Sequence, residues 1–428
     1  MLHLPSTRRR LTSAGTAVLG LSLLAMSLTA CGGETVNDGP DPHYDGGAVL
    51  QSEVAQQAPD ESTDLSDAVD GLRGLGHDLT THLPAGSGSG GNQVFSPASL
   101  AIAFAMLREG AGRASGDEID DVIGLPENRQ AAYNRIVTAL TDVGYGDRLE
   151  INDAIFLDPG FDVRQPYLDA IQRWYGAGLH QTAFPSPALD DINGWVDDTT
   201  HGRIPRLLDQ LDPAAVFALV NTIYLNAKWE RPFDPSDTSS DDFTTGTGDH
   251  VSVKTMHNDT ELDLVRGEGW RAVRLPYAGG KLSMWVLLPD RGGDPKQLLR
   301  PELLGGLSDA ARSTMVELSL PRWDTETNAD LVPVLQDLGM RETFGTGQYP
   351  GVTKDPRFVV SDVIQQANIT VGEKGTVAAA ATAIVGEVSA MPPQGVDFTA
   401  DHPFAFAIVH DETGVPLFEG VVSDPSAG

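Results

Sequence analysis

The spacing of apolar and polar residues predicts helices in the first part of the chain and mostly strands in the second. A short apolar strand at Gln93–Phe95 leads into Ser96 and Pro97, a capping residue followed by proline at the first helical position. That helix is predicted to end at Arg108, before Gly110. Further helices are predicted at residues 116–123, 127–143, 165–175, 189–200 and 328–338, and further strands at 149–157, 216–226, 271–277, 281–288, 314–321, 358–371 and in a hairpin within 404–422. Because no fixed-period repeat is present, the pattern predicts an α+β domain rather than a solenoid.

The segment from Glu373 to Met391 has an unusual composition, because a charged pair and a glycine are followed by small, uncharged residues. One interpretation is a surface helix through the four alanines at 378–381, since alanine has the best helix propensity. The other is a loop that can become a strand, because the segment follows a strand pattern and ends at two prolines that block a helix. We favour the second interpretation.

The N-terminus has the pattern of a bacterial lipoprotein signal. Three arginines at 8–10 precede an apolar stretch at 14–28, and small residues follow immediately before Cys31. The apolar stretch is too short for a comfortable membrane span, so residues 1–30 are predicted to be removed and Cys31 to carry a two-chain lipid. The alternative is an ordinary secretory peptide with an accidental cysteine. We expect an extracytoplasmic protein anchored to the bacterial membrane, exported by the Sec or the twin-arginine route.

Residues 31–65 are predicted to be a lipidated cysteine followed by a disordered tether. After Cys31 this part contains eight acidic residues, no Lys or Arg, and few residues that pack in a core. Its full reach of roughly 110 Å would hold the globular part, residues 66–428, clear of the membrane.

Charge and cysteine content exclude several classes of function. The chain has 29 basic and 60 acidic side chains and a net charge of −31, which argues against a protein surface that binds nucleic acid or an anionic membrane. Membrane contact is therefore expected only through the lipid on Cys31. One cysteine excludes an internal disulfide framework, and the ten histidines show no metal-ligand spacing. We predict no metal and no cofactor.

Five segments, found in family order across residues 66–425, together resemble the serpin family, the large serine-protease-inhibitor fold. They are NQVFSPASLAIAFAMLREGAGRASGDEI at 92–119, a region at 151–184 that begins INDAIFLDPGF, INGWVDDTTHGRIPRLLDQLDPAAVFALVNTIYLNAKWERPF at 192–233, EKGTVAAAA at 373–381 and HPFAFAIVHDETGVPLFEGVVSDP at 402–425. Any one of them can arise by chance, whereas their order and spacing make a specific signal.

The resemblance implies a single α+β domain of about nine helices and three β-sheets, with an exposed reactive-centre loop at about residues 373–394. In the family, a target protease cuts this loop, and the upstream part enters the central sheet as an extra strand while the protease is still esterified to it. The resemblance therefore implies a monomeric, irreversible suicide-substrate inhibitor of serine proteases, with cysteine proteases as a further target class. The protease supplies the nucleophile, so this chain is expected not to be an enzyme.

The hinge of the loop maps, by this resemblance, to residues near the charged pair: Glu373, Gly375, Thr376, Ala378 and Ala380. Alternate residues of a strand share a face, so one set from the loop would point inward after insertion. This set is uncharged and mostly small: Thr376, Ala378, Ala380, Thr382, Ile384 and Gly386. Small inward residues favour insertion.

The family's register places the scissile bond sixteen residues after the hinge glutamate, at Ser389-Ala390. The loop is about one residue longer than is common, so Val388-Ser389 and Ala390-Met391 remain alternatives. All candidates are small or apolar, and no Lys or Arg follows residue 374. A trypsin-like pocket finds no cation here, so we expect a target with elastase-like or subtilisin-like specificity.

A sheet-opening gate is also implied by the resemblance, with Ser96, Ser99 and Asn221 as a polar latch and Trp229 at the point of loop entry. Gln365 stands where many family members have a latch histidine. Glutamine can bridge Ser96 and Asn221 by hydrogen bonds but does not titrate, so little pH response is expected at that position.

Two other functions are alternatives to inhibition. The main rival is a serpin-fold protein that binds a ligand or partner without inhibiting a protease; the small inward residues from Thr376 onward favour inhibition over it. A surface hydrolase is disfavoured because the chain contains no G-x-S-x-G motif and no recognisable triad.

Overall fold

The structure, a computed structural model, describes residues 48–83, 88–144, 146–376 and 395–427. Within these residues the α-helices are α1 (Ser66–His82), α2 (Pro97–Arg108), α3 (Arg113–Ile123), α4 (Arg129–Ala139), α5 (Gln165–Tyr175), α6 (Ser186–Thr199), α7 (Pro301–Ala310) and α8 (Val332–Leu338). The strands in the same ranges are β1 (Ala48–Leu50), β2 (Gln93–Phe95), β3 (Arg148–Leu157), β4 (Leu179–Gln181), β5 (Phe217–Lys228), β6 (Ser239–Thr244), β7 (His250–Gly267), β8 (Trp270–Pro276), β9 (Leu282–Pro289), β10 (Arg312–Pro321), β11 (Trp323–Asp330), β12 (Asp362–Gly372), β13 (Gly375–Thr376), β14 (Val396–Thr399), β15 (Phe404–His410) and β16 (Val415–Val422).

The described strands form two sheets. One has seven strands in the order β1-β4-β3-β5-β13-β12-β11, and the other follows β14-β10-β7-β8-β9-β15-β16-β2, with β6 also paired to β7. Strand β7 is 18 residues long and hydrogen-bonds β6, β8 and β10, which joins strands that would otherwise form a third sheet. The predicted α+β class is confirmed, and the eight helices of the described residues are close to the expected nine.

Helix α2 lies at the centre of the core, since every residue from Pro97 to Leu107 is buried. Its small alanines allow close approach to neighbouring elements, and its Leu, Ile and Phe side chains fill the space between them. It packs against β3, β5 and β16. At its N-terminus, the Ser96 hydroxyl accepts a hydrogen bond from the Ser99 amide at 3.2 Å. The start of α2 is thereby fixed behind the seven-stranded sheet.

Most predicted elements are present to within a few residues, and the predicted helix at 165–175 coincides with α5. The prediction was wrong at 328–330, where β11 continues to Asp330 and α8 begins only at Val332. Buried and exposed residues alternate through the whole of β11. This period of two is typical of a strand and extends over the residues assigned to the helix.

Residues 48–65 also differ from the prediction, because the structure places them along the domain rather than in a disordered tether. Strand β1 pairs antiparallel with β4 at the edge of the seven-stranded sheet. The Ser52 hydroxyl donates to Asp169 Oδ1 at 2.6 Å, and the backbone amide of Gln57 donates to the Arg173 carbonyl at 2.7 Å. Hydrogen bonds rather than apolar burial make most of these contacts, so composition did not reveal them.

The described residues belong to one compact unit. None of the helices described is long and apolar enough to cross a membrane. Within the same ranges, no group of three or more His, Cys, Asp or Glu side chains is placed to hold a metal ion.

Glu419 on β16 is a carboxylic acid inside the core. The residue is fully buried against α1, and neither carboxyl oxygen has a hydrogen-bond partner among the described residues. Gly76 of α1 makes room for it, because a Cβ there would lie 2.4 Å from Glu419 Oε2. Burial raises the pKa of Glu419 well above 4.5, and the charge of Arg73 offsets only part of this effect. The folded protein therefore holds Glu419 in its neutral form.

This burial predicts a pH-dependent cost to stability. Below about pH 4.5 the carboxyl is neutral in both states, whereas at higher pH only the unfolded chain ionises it, so the free energy of unfolding falls as pH rises. At pH 8, Glu419→Gln should raise the free energy of unfolding by about 1–3 kcal/mol, and Glu419→Leu by more, because it also removes the unpaired polar atoms. Urea unfolding at pH 4.5 and 8 measures this. A Glu419→Gln protein less stable than wild type at pH 8 would contradict the assignment.

Candidate functional site

The seven-stranded sheet contains a seam between β5 and β12, and this seam is the candidate functional site. The two strands run parallel and pair directly only from Ala218 to Ile223 on β5 and from Asp362 to Ala367 on β12. Beyond these residues they separate, and β13 lies between them, antiparallel to both. A single strand therefore already occupies one end of the seam.

Thr376, a predicted hinge residue, lies inside this end of the seam. It pairs with Ala227 on β5 and Val371 on β12, and it is only 1% exposed. Its hydroxyl is 2.7 Å from the buried hydroxyl of Tyr277, within hydrogen-bond distance. The preceding Gly375 has a φ of +145°, and a Cβ there would lie 2.0 Å from the Ala227 carbonyl oxygen, so no other residue fits without a shift of the backbone.

Trp229 forms the wall at which β13 enters the sheet. Its ring stacks on Tyr277 with centroids 4.5 Å apart, and its indole nitrogen donates to the Gly372 carbonyl at 2.9 Å. Its backbone amide donates to the Lys374 carbonyl at 2.8 Å. The turn between β12 and β13 is thus fixed by one aromatic residue, at the place where the sequence predicted an entry point.

Glu373 anchors the same turn through its side chain. The carboxylate accepts hydrogen bonds from the Thr238 hydroxyl at 2.6 Å and from Arg322 Nε at 2.7 Å, and Arg322 also forms an ion pair with it. Burial alone would raise the pKa of Glu373, but the hydrogen bonds from Thr238 and Arg322 outweigh burial and hold the pKa below its ordinary value. The carboxylate is therefore charged near neutral pH, and polar contacts with Thr238 and Arg322 hold the hinge in addition to the contact between Thr376 and Tyr277.

A hydrogen-bonded bridge crosses the seam at its directly paired end. Gln365 Nε2 donates to Asn221 Oδ1 at 2.9 Å and to the Ser96 carbonyl at 3.0 Å, while Gln365 Oε1 accepts from the Ser96 amide at 3.0 Å. The connection that the sequence predicted between Ser96 and Asn221 is therefore present. Ser99 joins it only through its backbone, and the Ser99 hydroxyl has no partner among the described residues. The role of this bridge in sheet opening stays a prediction.

Asp153 extends the bridge and was not found by the sequence analysis. Asp153, Asn221 and Gln365 are opposite one another on β3, β5 and β12, and Asn221 Nδ2 donates to Asp153 Oδ1. Desolvation raises the pKa of Asp153 to about 7, and the hydrogen bond from Asn221 offsets part of this effect. The available signal was a carboxylate in a strand otherwise rich in apolar residues, INDAIFL.

The rest of the predicted site lies outside the described residues. This applies to the hinge alanines Ala378 and Ala380, to the candidate scissile residues Val388, Ser389, Ala390 and Met391, and to the lipidation site Cys31. The predicted residues that are described form two clusters. The hinge cluster contains Glu373, Gly375, Thr376 and Trp229, and the bridge cluster contains Ser96, Ser99, Asn221 and Gln365. Six residues of β5, about 20 Å, separate the two clusters.

The buried contact between Tyr277 and Thr376 predicts a measurable coupling. Tyr277→Phe leaves the Thr376 hydroxyl without its partner, and Thr376→Val does the same to Tyr277, so each variant should lower the free energy of unfolding by about 1–3 kcal/mol. The double variant removes both groups and should lose clearly less than the sum. Urea unfolding of the four proteins gives the coupling energy. Additive losses would show that the two hydroxyls do not interact.

Comparison with known proteins agrees with this architecture. A family profile described as Serpin (serine protease inhibitor) matches residues 71–425. An uncharacterised serpin-like protein of Thermococcus kodakarensis is 31% identical over 354 residues, which cover 80% of this chain and 83% of that relative. Iripin-3 of Ixodes ricinus is 31% identical over 365 residues, 82% of this chain and 92% of Iripin-3.

A solved structure shows the same fold. The crystal structure of the thermophilic serpin tengpin in its native state matches with a TM-score of 0.81 and 24% identity, covering 89% of this chain and 100% of tengpin. Since the family profile extends over most of the sequence, the chain belongs to the serpin family, whose members are in general protease inhibitors rather than catalysts.

Proposed function

We propose that this serpin is an irreversible inhibitor of serine proteases that traps its target by inserting the cleaved loop into the seam between β5 and β12. The observation that carries this proposal is the position of Thr376. It is already buried in the seam, paired on both sides, at the head of the predicted inward set. The rest of the loop has only to continue along a path whose first step is present.

The register of β13 supports the proposed path. Continued past Thr376, an antiparallel strand would bring Val385 opposite both Ala218 on β5 and Asp362 on β12, where the direct pairing of the two strands begins. The two strands give the same end point independently. The seam therefore accommodates the loop in one register without a bulge on either side.

The same register brings Thr382 opposite both Asn221 and Gln365. These are the two side chains whose hydrogen bond crosses the seam. A threonine hydroxyl both donates and accepts, so Thr382 can replace the bond that its own insertion breaks. Insertion then leaves no buried amide without a partner, which would otherwise cost about 1–3 kcal/mol.

Insertion inactivates the bound protease by displacement. From Thr376 to Ser389 the chain spans thirteen residues, and a strand of that length extends about 40 Å. A protease esterified near Ser389 would be carried that far along the sheet. Hydrolysis of the ester requires the triad and oxyanion hole in place, and small displacements already slow it strongly. The candidate bonds from Val388 to Met391 are small or apolar, so the proposed target has elastase-like or subtilisin-like specificity.

Two neighbouring alanines allow a matched test of this mechanism. In the proposed register Ala378 faces the side of the sheet on which Leu225 and Ile369 are buried, whereas Ala379 faces half-buried Tyr224 and Asn368. Arginine at 378 would have to enter the core, while arginine at 379 can reach solvent. Ala378→Arg should therefore block insertion and Ala379→Arg should largely permit it.

The measurement is a denaturing gel of the full chain after incubation with pancreatic elastase. Wild type and Ala379→Arg should form an adduct that resists denaturation, whereas Ala378→Arg and Thr376→Arg should be cleaved without an adduct, with the adduct fraction at least tenfold lower. Trypsin serves as a control for wild type, because no Lys or Arg follows Lys374 in that sequence. Cleavage of wild type without any adduct would contradict inhibition and favour the rival, a serpin-fold protein that does not inhibit.

We also propose that lipid on Cys31 anchors the protein outside the bacterial membrane. The support is the basic, apolar and small-residue order that precedes Cys31. After expression in a bacterial host, wild type should fractionate with the membrane and Cys31→Ser should not, because the variant lacks the acceptor thiol. Mass spectrometry of the N-terminal peptide should show the two-chain lipid on wild type. A soluble wild-type protein cut without lipid would support an ordinary secretory peptide instead.

A further inference from the structure

One series of hydrogen bonds runs in a single direction from Ser96 through the seam to Asp153. The Ser96 amide donates to Gln365 Oε1, Gln365 Nε2 donates to Asn221 Oδ1, and Asn221 Nδ2 donates to Asp153 Oδ1. A carboxylate can only accept, so an ionised Asp153 requires the Asn221 amide to point its nitrogen toward β3 and its oxygen toward the seam. Asp153, the last acceptor in this series, thus determines the direction of the hydrogen bonds.

Gln365 cannot compensate for a change in Asn221. Both ends of its amide are held by the backbone of Ser96, with the amide and carbonyl of that residue each 3.0 Å away. If the Asn221 side chain turned over, its nitrogen would meet Gln365 Nε2, and two donors would oppose each other across the seam. The closed seam therefore depends on one orientation of Asn221.

We propose that Asp153 is a proton-dependent positioning residue, which as a carboxylate holds Asn221 in the orientation that closes the seam and on protonation releases it, so that acidification speeds sheet opening. The proposal deepens the proposed function, since it concerns the step at which the loop passes the bridge. This role needs no change in Gln365, which does not titrate. It agrees with the small pH response expected at position 365, because the group that titrates is Asp153.

Acidification favours opening because Asp153 stays with β5 when the seam opens. Strands β3 and β5 are paired over ten residues, from Arg148 to Leu157 on β3, whereas β5 and β12 are paired directly over only six. Opening therefore breaks the bond between Gln365 and Asn221 and leaves the bond between Asn221 and Asp153 intact. A carboxylate polarises the Asn221 amide and strengthens the bond across the seam, so the closed state binds the Asp153 proton less tightly than the open state does.

The surroundings of Asp153 allow it to exchange a proton near neutral pH. It is half-buried in the wall of a cavity of about 460 Å³ between α2, α4, α5, α6 and β3, and desolvation raises its pKa to about 7. The other titratable residues that line this cavity are Tyr175 from α5 and Glu150 from β3 itself. Burial raises the pKa of Tyr175 well above 10, so it does not titrate in this range. The cavity residues from α2, α4 and α6 carry no charge.

Glu150 has its own partners, and one of them, His201, supplies a control. Its carboxylate accepts from Arg148 Nε at 2.6 Å and lies 2.7 Å from His201 Nε2. It is an odd number of residues from Asp153, so the two side chains point to opposite faces of β3. His201→Asn removes the imidazole and suits the positive φ of 55° at that position. This variant therefore tests whether an imidazole on the other face causes any pH response.

The experiment measures uptake of a synthetic peptide of residues 377–388, which continues the seam beyond Thr376, by the full chain between pH 8 and pH 6, followed on native gels. No protease is present. The uptake rate of wild type should rise about fivefold on acidification with a midpoint near pH 7, the ratio expected when a charge-assisted hydrogen bond becomes a neutral one. Asp153→Asn should show a flat profile near the wild-type rate at pH 6, and His201→Asn should keep the wild-type slope. Protection of the backbone amides of residues 218–223 against hydrogen exchange, corrected for intrinsic rates, should fall by a similar factor.

The proposal is overturned if wild type is flat in both measurements, if Asp153→Asn keeps the slope, or if His201→Asn loses it. Failure of the proposed function is separable from these outcomes. A wild type that takes up peptide with the expected slope but forms no adduct with elastase keeps the role of Asp153 and loses inhibition. A wild type that forms the adduct with elastase but shows no pH dependence of peptide uptake keeps inhibition and loses the role of Asp153.

Discussion

The direct pairing of β5 with β12 is the interaction on which the proposed function depends. It is a parallel pairing of only six residues, between strands that diverge beyond it to admit β13. An antiparallel strand placed between them gives up one ladder of hydrogen bonds and forms two, so the sheet gains one ladder for every strand inserted. In the proposed mechanism, the same two strands hold the uncleaved protein together and accept the strand that makes the sheet more stable, so the stored free energy is that of one missing strand.

Directional polar contacts close both ends of the seam, together with the stacking of Trp229 on Tyr277 at the hinge end. At the hinge end Glu373 is held by Thr238 and Arg322, and at the paired end Gln365 is held by Asn221. Apolar contacts are non-directional, so any inserted apolar side chain can cover the surface again, whereas a broken hydrogen bond has to be replaced by one with a matching donor or acceptor. In the proposed mechanism, polar closure therefore favours insertion of a strand that brings matching groups.

The family resemblance implied the hinge and bridge residues, most of which lie in the matching motifs, but it did not predict their partners. Tyr277, Arg322 and Thr238 come from three separate regions of the chain, and only the folded sheet brings them to residues 373–376. Asp153 lay within a predicted strand, yet its neighbours across the sheet depend on a register that apolar spacing does not give. The start of α8 was misassigned because the alternating burial of β11, which extends to Asp330, is likewise known only from the folded sheet. The contacts of residues 48–65 are hydrogen bonds to distant elements, and spacing along the sequence does not predict these either.

The arrangement of the two clusters on one pair of strands imposes an order on the proposed insertion. Thr376 stands about 20 Å from the level of Asn221, and the residues that would cover this distance begin with valine and four alanines. Such side chains need only a narrow opening, so the front of the strand reaches the bridge before the bridge has to break. Thr382 then arrives as the first residue after Thr376 in the inward set able to form hydrogen bonds. In the proposed mechanism the bridge is therefore the barrier that the inserting strand meets, and whatever weakens the bond between Asn221 and Gln365 would speed the whole transition.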